Sequence, residues 1–187
     1  KLLLFLMTFT IENLKESDVE AVVKLFHIII DELHEKSLEV ERLHFKDMYP
    51  AEEVKSRLSN KDCIYLVARE NDNVAGFMFA WVSEGVGNIH WMGIAPEHRK
   101  KGYGDKLIEE TIKIFTEKGC YEAKLFTYPS EKAAYHLFQK HGFREAAFID
   151  RRFFGTNIIF MVRKITPVPE EHRSKKIVLA GEAEVVV

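Results

Sequence analysis

An apolar run from Asn88 to Ala95 stops at Pro96 and passes through Glu97-His98-Arg99-Lys100-Lys101-Gly102 straight into a helical pattern that opens at Tyr103. A strand joined to a helix by so short a segment leaves the chain few ways to continue, and the residues in the join are chemically pointed. Gly102 and Gly104 remove Cβ atoms where a backbone must approach a ligand, and the amides here stand at the positive end of a helix. Residues 99–106 carry Arg99, Lys100, Lys101 and Lys106 against Asp105 alone, on a chain whose net charge is −2. The segment therefore reads as a local anion site suited to a pyrophosphate. A solvated basic turn is the other reading of Gly102-Tyr103-Gly104 taken alone. Two nucleotide motifs are excluded: GxxxxGK[ST] occurs nowhere, and a dinucleotide fingerprint needs glycine where Leu107 stands.

Around this join the pattern alternates between helix and strand. Thr8 to Leu14 reads as a first strand, and Ser17-Asp18-Val19-Glu20 has capping-box spacing before a helix whose buried stripe is Val19, Val22, Val23, Phe26, Ile29, Ile30 and Leu33. An acidic stretch runs from Asp31 to Lys55, with a short helix expected from Pro50 to Leu58. Cys63 to Arg69 and Val74 to Glu84 read as a hairpin, and Tyr103 to Lys118 as a helix stopped by Gly119. Tyr121 to Thr127 is then a strand, Ser130 to Lys140 a helix, and Arg144 to Phe154 with Asn157 to Ile165 a closing hairpin. The order is mixed α and β, in one domain over 1–165, with a proline-marked linker and tail over 166–187.

Composition narrows the classes of function. With 47% apolar and 30% charged residues the chain suits one globular domain. Its slight negative charge supplies no general field for nucleic acid or an anionic membrane. Cys63 and Cys120 lack CxxC spacing and the eight histidines lack HExxH spacing, so no metal is invoked and a cytoplasmic setting is expected. The apolar opening to Met7 is far shorter than the roughly 18 to 20 residues of a membrane span. Met7 is a candidate start, and residues 1–6 a candidate non-native leader.

Pro96-x-x-Arg99-x-x-Gly102-x-Gly104 after an apolar strand resembles the acetyl-CoA signature of the Gcn5-related N-acetyltransferase (GNAT) family. Val67-Ala68 with Val74-Ala75-Gly76-Phe77 resembles that family's upstream hairpin, and Ala134-x-x-Leu137-Phe138-x-x-x-Gly142-Phe143 its second motif. The resemblance covers about residues 8 to 165. It implies a mostly antiparallel, splayed sheet of about seven strands flanked by about four helices. It further implies acetyl-CoA as co-substrate, with the amides of Lys100, Lys101, Gly102, Tyr103 and Gly104 on the pyrophosphate and Arg99 at the head of the loop. Met92, Gly93 and Ile94 would lie along the pantetheine arm, with Ser130, Ala133, Ala134 and Phe138 on its other side. Family members often dimerise through late strands, where Arg151 to Phe154 or the tail would serve in a homodimer. Glu131 stands where the family often has Asn, and Phe138 where it often has the Tyr that protonates the leaving thiolate; Phe has no proton to give.

Direct transfer to an amine needs a free lone pair, while an alkyl ammonium has a pKa of about 10.4. His90 is the leading base: alternation puts His90, Met92 and Ile94 on one strand face, and a similar position carries a catalytic histidine in the arylalkylamine branch of the family. Packing in the core is its other reading. Glu84, at the end of the preceding strand, is the alternative base. Tyr135, one turn before Phe138, is the candidate acid, with Tyr128 and Tyr103 behind it. The acidic stretch either draws cationic amines, such as polyamines or basic peptide ends, or is a solvated face. The expected function is acetyl-CoA-dependent transfer to a primary amine of a polyamine, small molecule or protein through a ternary complex. The alternative is an acyl-CoA-binding regulatory module with little turnover.

Overall fold

The computed structural model describes residues 9–33 and 39–167, together with the backbone of 177–178 and 184–185. The candidate leader and most of the tail lie outside the described residues. Seven strands form one sheet: β1 (Phe9–Asn13), β2 (Cys63–Glu70), β3 (Asn73–Ser83), β4 (Val86–Ile94), β5 (Glu122–Thr127), β6 (Arg144–Phe153) and β7 (Thr156–Lys164). Their order is β1-β2-β3-β4-β5-β7-β6, antiparallel throughout except where β4 meets β5. The helices are α1 (Val19–Leu33), α2 (Glu39–Asp47), α3 (Ala51–Arg57), α4 (Tyr103–Glu117) and α5 (Lys132–Lys140). Among the described residues no helix is long and apolar enough to cross a membrane.

Each face of the sheet buries its own core. The unbroken apolar run Ile64–Ala68 is buried end to end because helices cover both sides of β2. On one face Phe26 and Ile30 of α1 pack with Tyr65, Phe77, Phe79 and Trp91; on the other Leu107, Ile108 and Phe115 of α4 pack with Met78, Ala80, Phe138 and Phe143.

Two irregularities in β4 shape everything that follows. Its register with β3 slips between Phe79↔Trp91 and Ala80↔Ile89, which leaves His90 as the extra residue of a β-bulge. Its parallel pairing with β5 holds for only three rungs, Val86↔Glu122, Gly87↔Ala123 and Asn88↔Lys124, after which the strands part. The bulge overturns the expectation that His90 shares a face with Met92 and Ile94. Met92 and Ile94 pack on the α4 core, whereas the ring of His90 meets Tyr49 and Trp91 of the α1 core. A period of two survives only where no residue is inserted.

Two local expectations also change. Glu39–Asp47 is a helix where the sequence showed only acidic character; its buried members, Glu41 and Phe45, are too few to give a clear helical stripe. The start of α1 is made by a 3-10 turn, Glu16–Asp18, rather than by a Ser17 box. The amide of Lys15 donates to Asp18 Oδ2 at 3.4 Å, and the Ser17 hydroxyl turns to Asp18 Oδ1 at 3.4 Å.

Asp18 also ties this turn to the sheet. Burial opposes its charge, but Arg69 at 2.5 Å holds the carboxyl below the usual range. A depressed carboxylate pKa adds stability that is present above the ordinary carboxylate range and lost as pH falls through the folded value. Asp18→Ala, which strands the Arg69 charge, is expected to cost about 3 kcal/mol in urea denaturation at pH 7. The deficit against wild type should narrow as the pH is lowered toward 3, because the wild type loses the same pair.

Candidate active site

Where β4 and β5 part, a cavity of about 890 Å³ opens between the sheet, α1, α2 and the start of α4. Of the residues singled out in the sequence, His90, Met92, Gly93, Ile94, Arg99, Lys100, Gly102, Tyr103, Gly104, Ala133, Ala134 and Phe138 line it. Lys101, Ser130, Glu84 and Tyr135 do not. Glu84 occupies the β3–β4 turn with a positive φ of 54° and is exposed, which points its carboxylate to solvent. The hydroxyl of Tyr135 donates to Glu145 at 3.2 Å and accepts from Gln139 at 3.1 Å. Tyr128 and Tyr103 line the cavity instead, and burial raises both phenols.

The join between β4 and α4 is built from backbone more than from charge. After a 3-10 turn at Pro96–His98 the chain reverses through Lys100 at φ 59° and Gly102 at φ 87°, both left-handed. Gly102 takes that conformation without strain, and as N-cap of α4 it leaves the first amides of the helix without acceptors inside the helix. Gly104 is closely packed: a Cβ there would lie 2.9 Å from Leu137 Cδ2, and that side chain would have to shift. The local positive charge expected from the sequence is largely neutralised. Arg99 pairs with Glu32, Lys101 with Glu70 at 3.1 Å and Lys106 with Glu109 at 2.6 Å. Among the described residues Lys100 alone of these four cations has no carboxylate within 4.0 Å, so an anion here is met chiefly by amides and the helix terminus.

Glu70, at the end of β2, is a positioning residue that reasoning from local spacing misses. It takes hydrogen bonds from the Tyr103 hydroxyl and the Lys101 ammonium, which keep its carboxyl below the usual range, and it lies 2.8 Å from His98 Nδ1. One carboxylate thus fastens the join through Tyr103 and Lys101 to a strand far upstream in the sequence, and no short-range spacing could reveal it.

His90 sits in a different electrostatic setting from the one expected of a base. Its Nδ1 is hydrogen-bonded to the hydroxyl of Tyr49, a residue between α2 and α3 that is 2% exposed. Burial raises the Tyr49 phenol, so it keeps its proton. A buried hydroxyl proton needs an acceptor, and the Arg57 guanidinium that lies 5.3 Å above the Tyr49 ring can only donate. Tyr49 therefore donates to Nδ1, and the single ring proton of His90 sits on Nε2. Burial, reinforced by the charge of Arg57, pulls the imidazole pKa down to about 4, so the ring is neutral at physiological pH. In this tautomer His90 offers Nε2–H as a donor rather than a lone pair; the general-base role expected of it needs the other tautomer.

This assignment has a direct readout. Nitrogen-15 NMR of His90 is expected to show the Nε2–H tautomer with no titration between pH 5.5 and 8, since the folded pKa lies below that window. Tyr49→Phe, which removes the donor, should return a mixture of tautomers; an unchanged spectrum in that variant would show that Tyr49 is not the group in control.

Comparison with known proteins agrees with this architecture. The family described as "Acetyltransferase (GNAT) family" matches residues 26–143. A mycothiol acetyltransferase of Clavibacter sepedonicus is 29% identical over 83 residues, 44% of this chain and 27% of that protein. A spermidine N(1)-acetyltransferase of Thermoplasma acidophilum is 26% identical over 46% of this chain and 53% of its own length. The chain thus spans between about a quarter and about half of these relatives. In fold it is similar to a PaiA N-acetyltransferase of Thermoplasma acidophilum in complex with coenzyme A, with a TM-score of 0.74 and 21% identity over 84% of this chain and 99% of that one. The ribosomal-protein-S18-alanine N-acetyltransferase of Escherichia coli follows at TM-score 0.67 and 18% identity over 87% and 97%. Because the family match runs across β4, the glycine join, α4, β5 and α5, the elements that enclose the cavity, the chain belongs to the GNAT acetyltransferase family.

Proposed function

We propose that this protein is an acetyl-CoA-dependent N-acetyltransferase that passes the acetyl group directly to a primary amine. The observation that carries the reading is the left-handed join at Lys100 and Gly102, which leaves the first amides of α4 open among residues that line the same cavity as His90. The residues present fit the cofactor: Gly102 as N-cap leaves the first amides of α4 open, and a donor set of backbone N–H suits a diphosphate. Lys100, Gly102, Tyr103 and Gly104 would hold the phosphates, Met92 to Ile94 the pantetheine arm, and Ala133, Ala134 and Phe138 its other flank.

When bound, the thioester supplies a carbonyl carbon open to an amine and a thiolate that can leave. The Nε2–H of His90 is a donor for the carbonyl oxygen as negative charge grows on it, the role a neutral imidazole fills well. The cavity's apolar walls lower the ammonium pKa of a bound amine, so its proton passes to water and the free lone pair attacks. As the C–N bond forms and the C–S bond breaks, the acylated nitrogen gives up its extra proton, by way of water, to the departing thiolate, which with a pKa near 8.5 is a tolerable leaving group without an acid at Phe138; Tyr128 and Tyr103 are phenols lining the same cavity.

Acetyl-CoA is expected to raise the melting temperature of the chain and to release free CoA thiol when an amine is present. Gly102→Val, forced into a φ of 87° that a β-branched residue resists, should raise the acetyl-CoA Kd about tenfold while leaving the fold intact by circular dichroism. Tight binding with no thiol release across a broad amine panel would favour the regulatory-module reading and overturn the enzyme.

A further inference from the structure

The far end of the cavity is a row of aromatic rings. Trp81, His90, Trp91, Phe45, Phe153 and Phe126 all line it, with successive ring centroids 5.1, 5.8, 5.2, 6.3 and 6.3 Å apart. Trp91, Phe45 and Phe153 pack with the α1 core, on the opposite face of the sheet from the Met92, Ile94 and Leu137 that belong with the phosphate end. The row is thus where an acceptor would enter, not part of the cofactor's flank. The indole N–H of Trp91 is buried and meets no acceptor among the described residues.

Of the carboxylates that the acidic stretch offered for a polycation, Glu32 alone lines the cavity among the described residues. Asp31 is held by Lys46 at 2.7 Å, Glu52 by Lys55 at 3.2 Å and Glu53 by Arg57 at 2.6 Å, and none of the three lines the cavity. Among the described residues three acids line it. Glu32 is spoken for by Arg99, Asp105 by Lys140 at 2.5 Å and His141 at 2.9 Å, and burial pushes the Glu131 carboxyl toward its neutral form. Several ammonium groups drawn into such a space would lose hydration without gaining partners. A single amine on a flat apolar body would bury that body against the rings and be shifted toward its neutral, nucleophilic form.

We propose that the acceptor is an aralkyl monoamine, a primary amine carried on a flat aromatic body, rather than a polyamine or a lysine-rich peptide. The assignment rests on the acetyl-transfer reading above. The chain has two tryptophans, Trp81 and Trp91, and both stand in the row, so intrinsic fluorescence reports its occupant whether or not turnover follows.

The test uses the full chain with CoA present, titrated with 2-phenylethylamine and with spermidine. 2-Phenylethylamine is expected to change the emission with a Kd at least tenfold below that of spermidine, and kcat/KM for thiol release from acetyl-CoA should rank the same way. Phe126→Asp, at a position 43% exposed where a charge is tolerated, should erase most of that preference by placing a carboxylate in the row. Spermidine or a lysyl peptide binding or reacting better than 2-phenylethylamine would overturn the proposal, as would an emission insensitive to both amines. A melting temperature raised by acetyl-CoA together with the wrong ranking removes this proposal alone. No rise with acetyl-CoA removes the acetyl-transfer reading, and the emission titration then judges the aromatic row by itself.

Discussion

The parting of β4 from β5 is the constraint on which the rest depends. A parallel pair that ran its full length would close the sheet and leave no cavity; three rungs anchor it and then release it. The bulge at His90 supplies the physical cause, because an inserted residue bends its strand and increases the local twist just beyond the last rung at Asn88. The same insertion turns His90 toward Tyr49 and sends Met92 and Ile94 to the other face. One extra residue therefore makes the gap, separates its two ends and chooses what lines each.

The two ends differ in how they deal with charge. At the mouth, Glu32, Glu70 and Glu109 engage Arg99, Lys101 and Lys106, so those side chains hold the join in place and leave the amides to meet an anion. Such a site gives up some long-range attraction and gains a fixed geometry, which suits a diphosphate that must be set down in one register. Among the described residues the far end is lined chiefly by aromatic rings. The buried imidazole of His90 is neutral for the same reason that a bound ammonium would shed its proton: neither ion is solvated there.

Much of this was legible in the sequence because it is written in neighbouring residues. The run into Pro96, the pair Gly102 and Gly104, and the helical stripe from Val19 to Leu33 each specify local structure through spacing, and the sheet and its join follow. What could not be read were contacts between distant segments. Tyr49 on His90, Glu70 on the join and Glu32 on Arg99 each link residues far apart in the chain. The bulge was hidden for a different reason: Ile89-His90-Trp91-Met92 alternates plausibly as a regular strand, and only the register against Phe79 and Ala80 exposes the insertion. The basic run at 99–106 misled in the opposite direction, since counting charges along the run cannot show that Glu32 and Glu70, from two distant segments, lie against Arg99 and Lys101.

The neutral histidine and the aromatic row are two consequences of one arrangement. Tyr49 is stacked on Phe79 at 4.8 Å and packed against Phe26, so its hydroxyl is held where it meets Nδ1 by the same aromatic core that walls the cavity. Adding a charged group to that wall would change more than acceptor fit, because it would reopen the balance that keeps His90 neutral and a bound amine deprotonated. On the proposed reading the chemistry of the transfer and the choice of acceptor would both be governed by the same apolar surroundings, and a sequence could not keep one while freely exchanging the other.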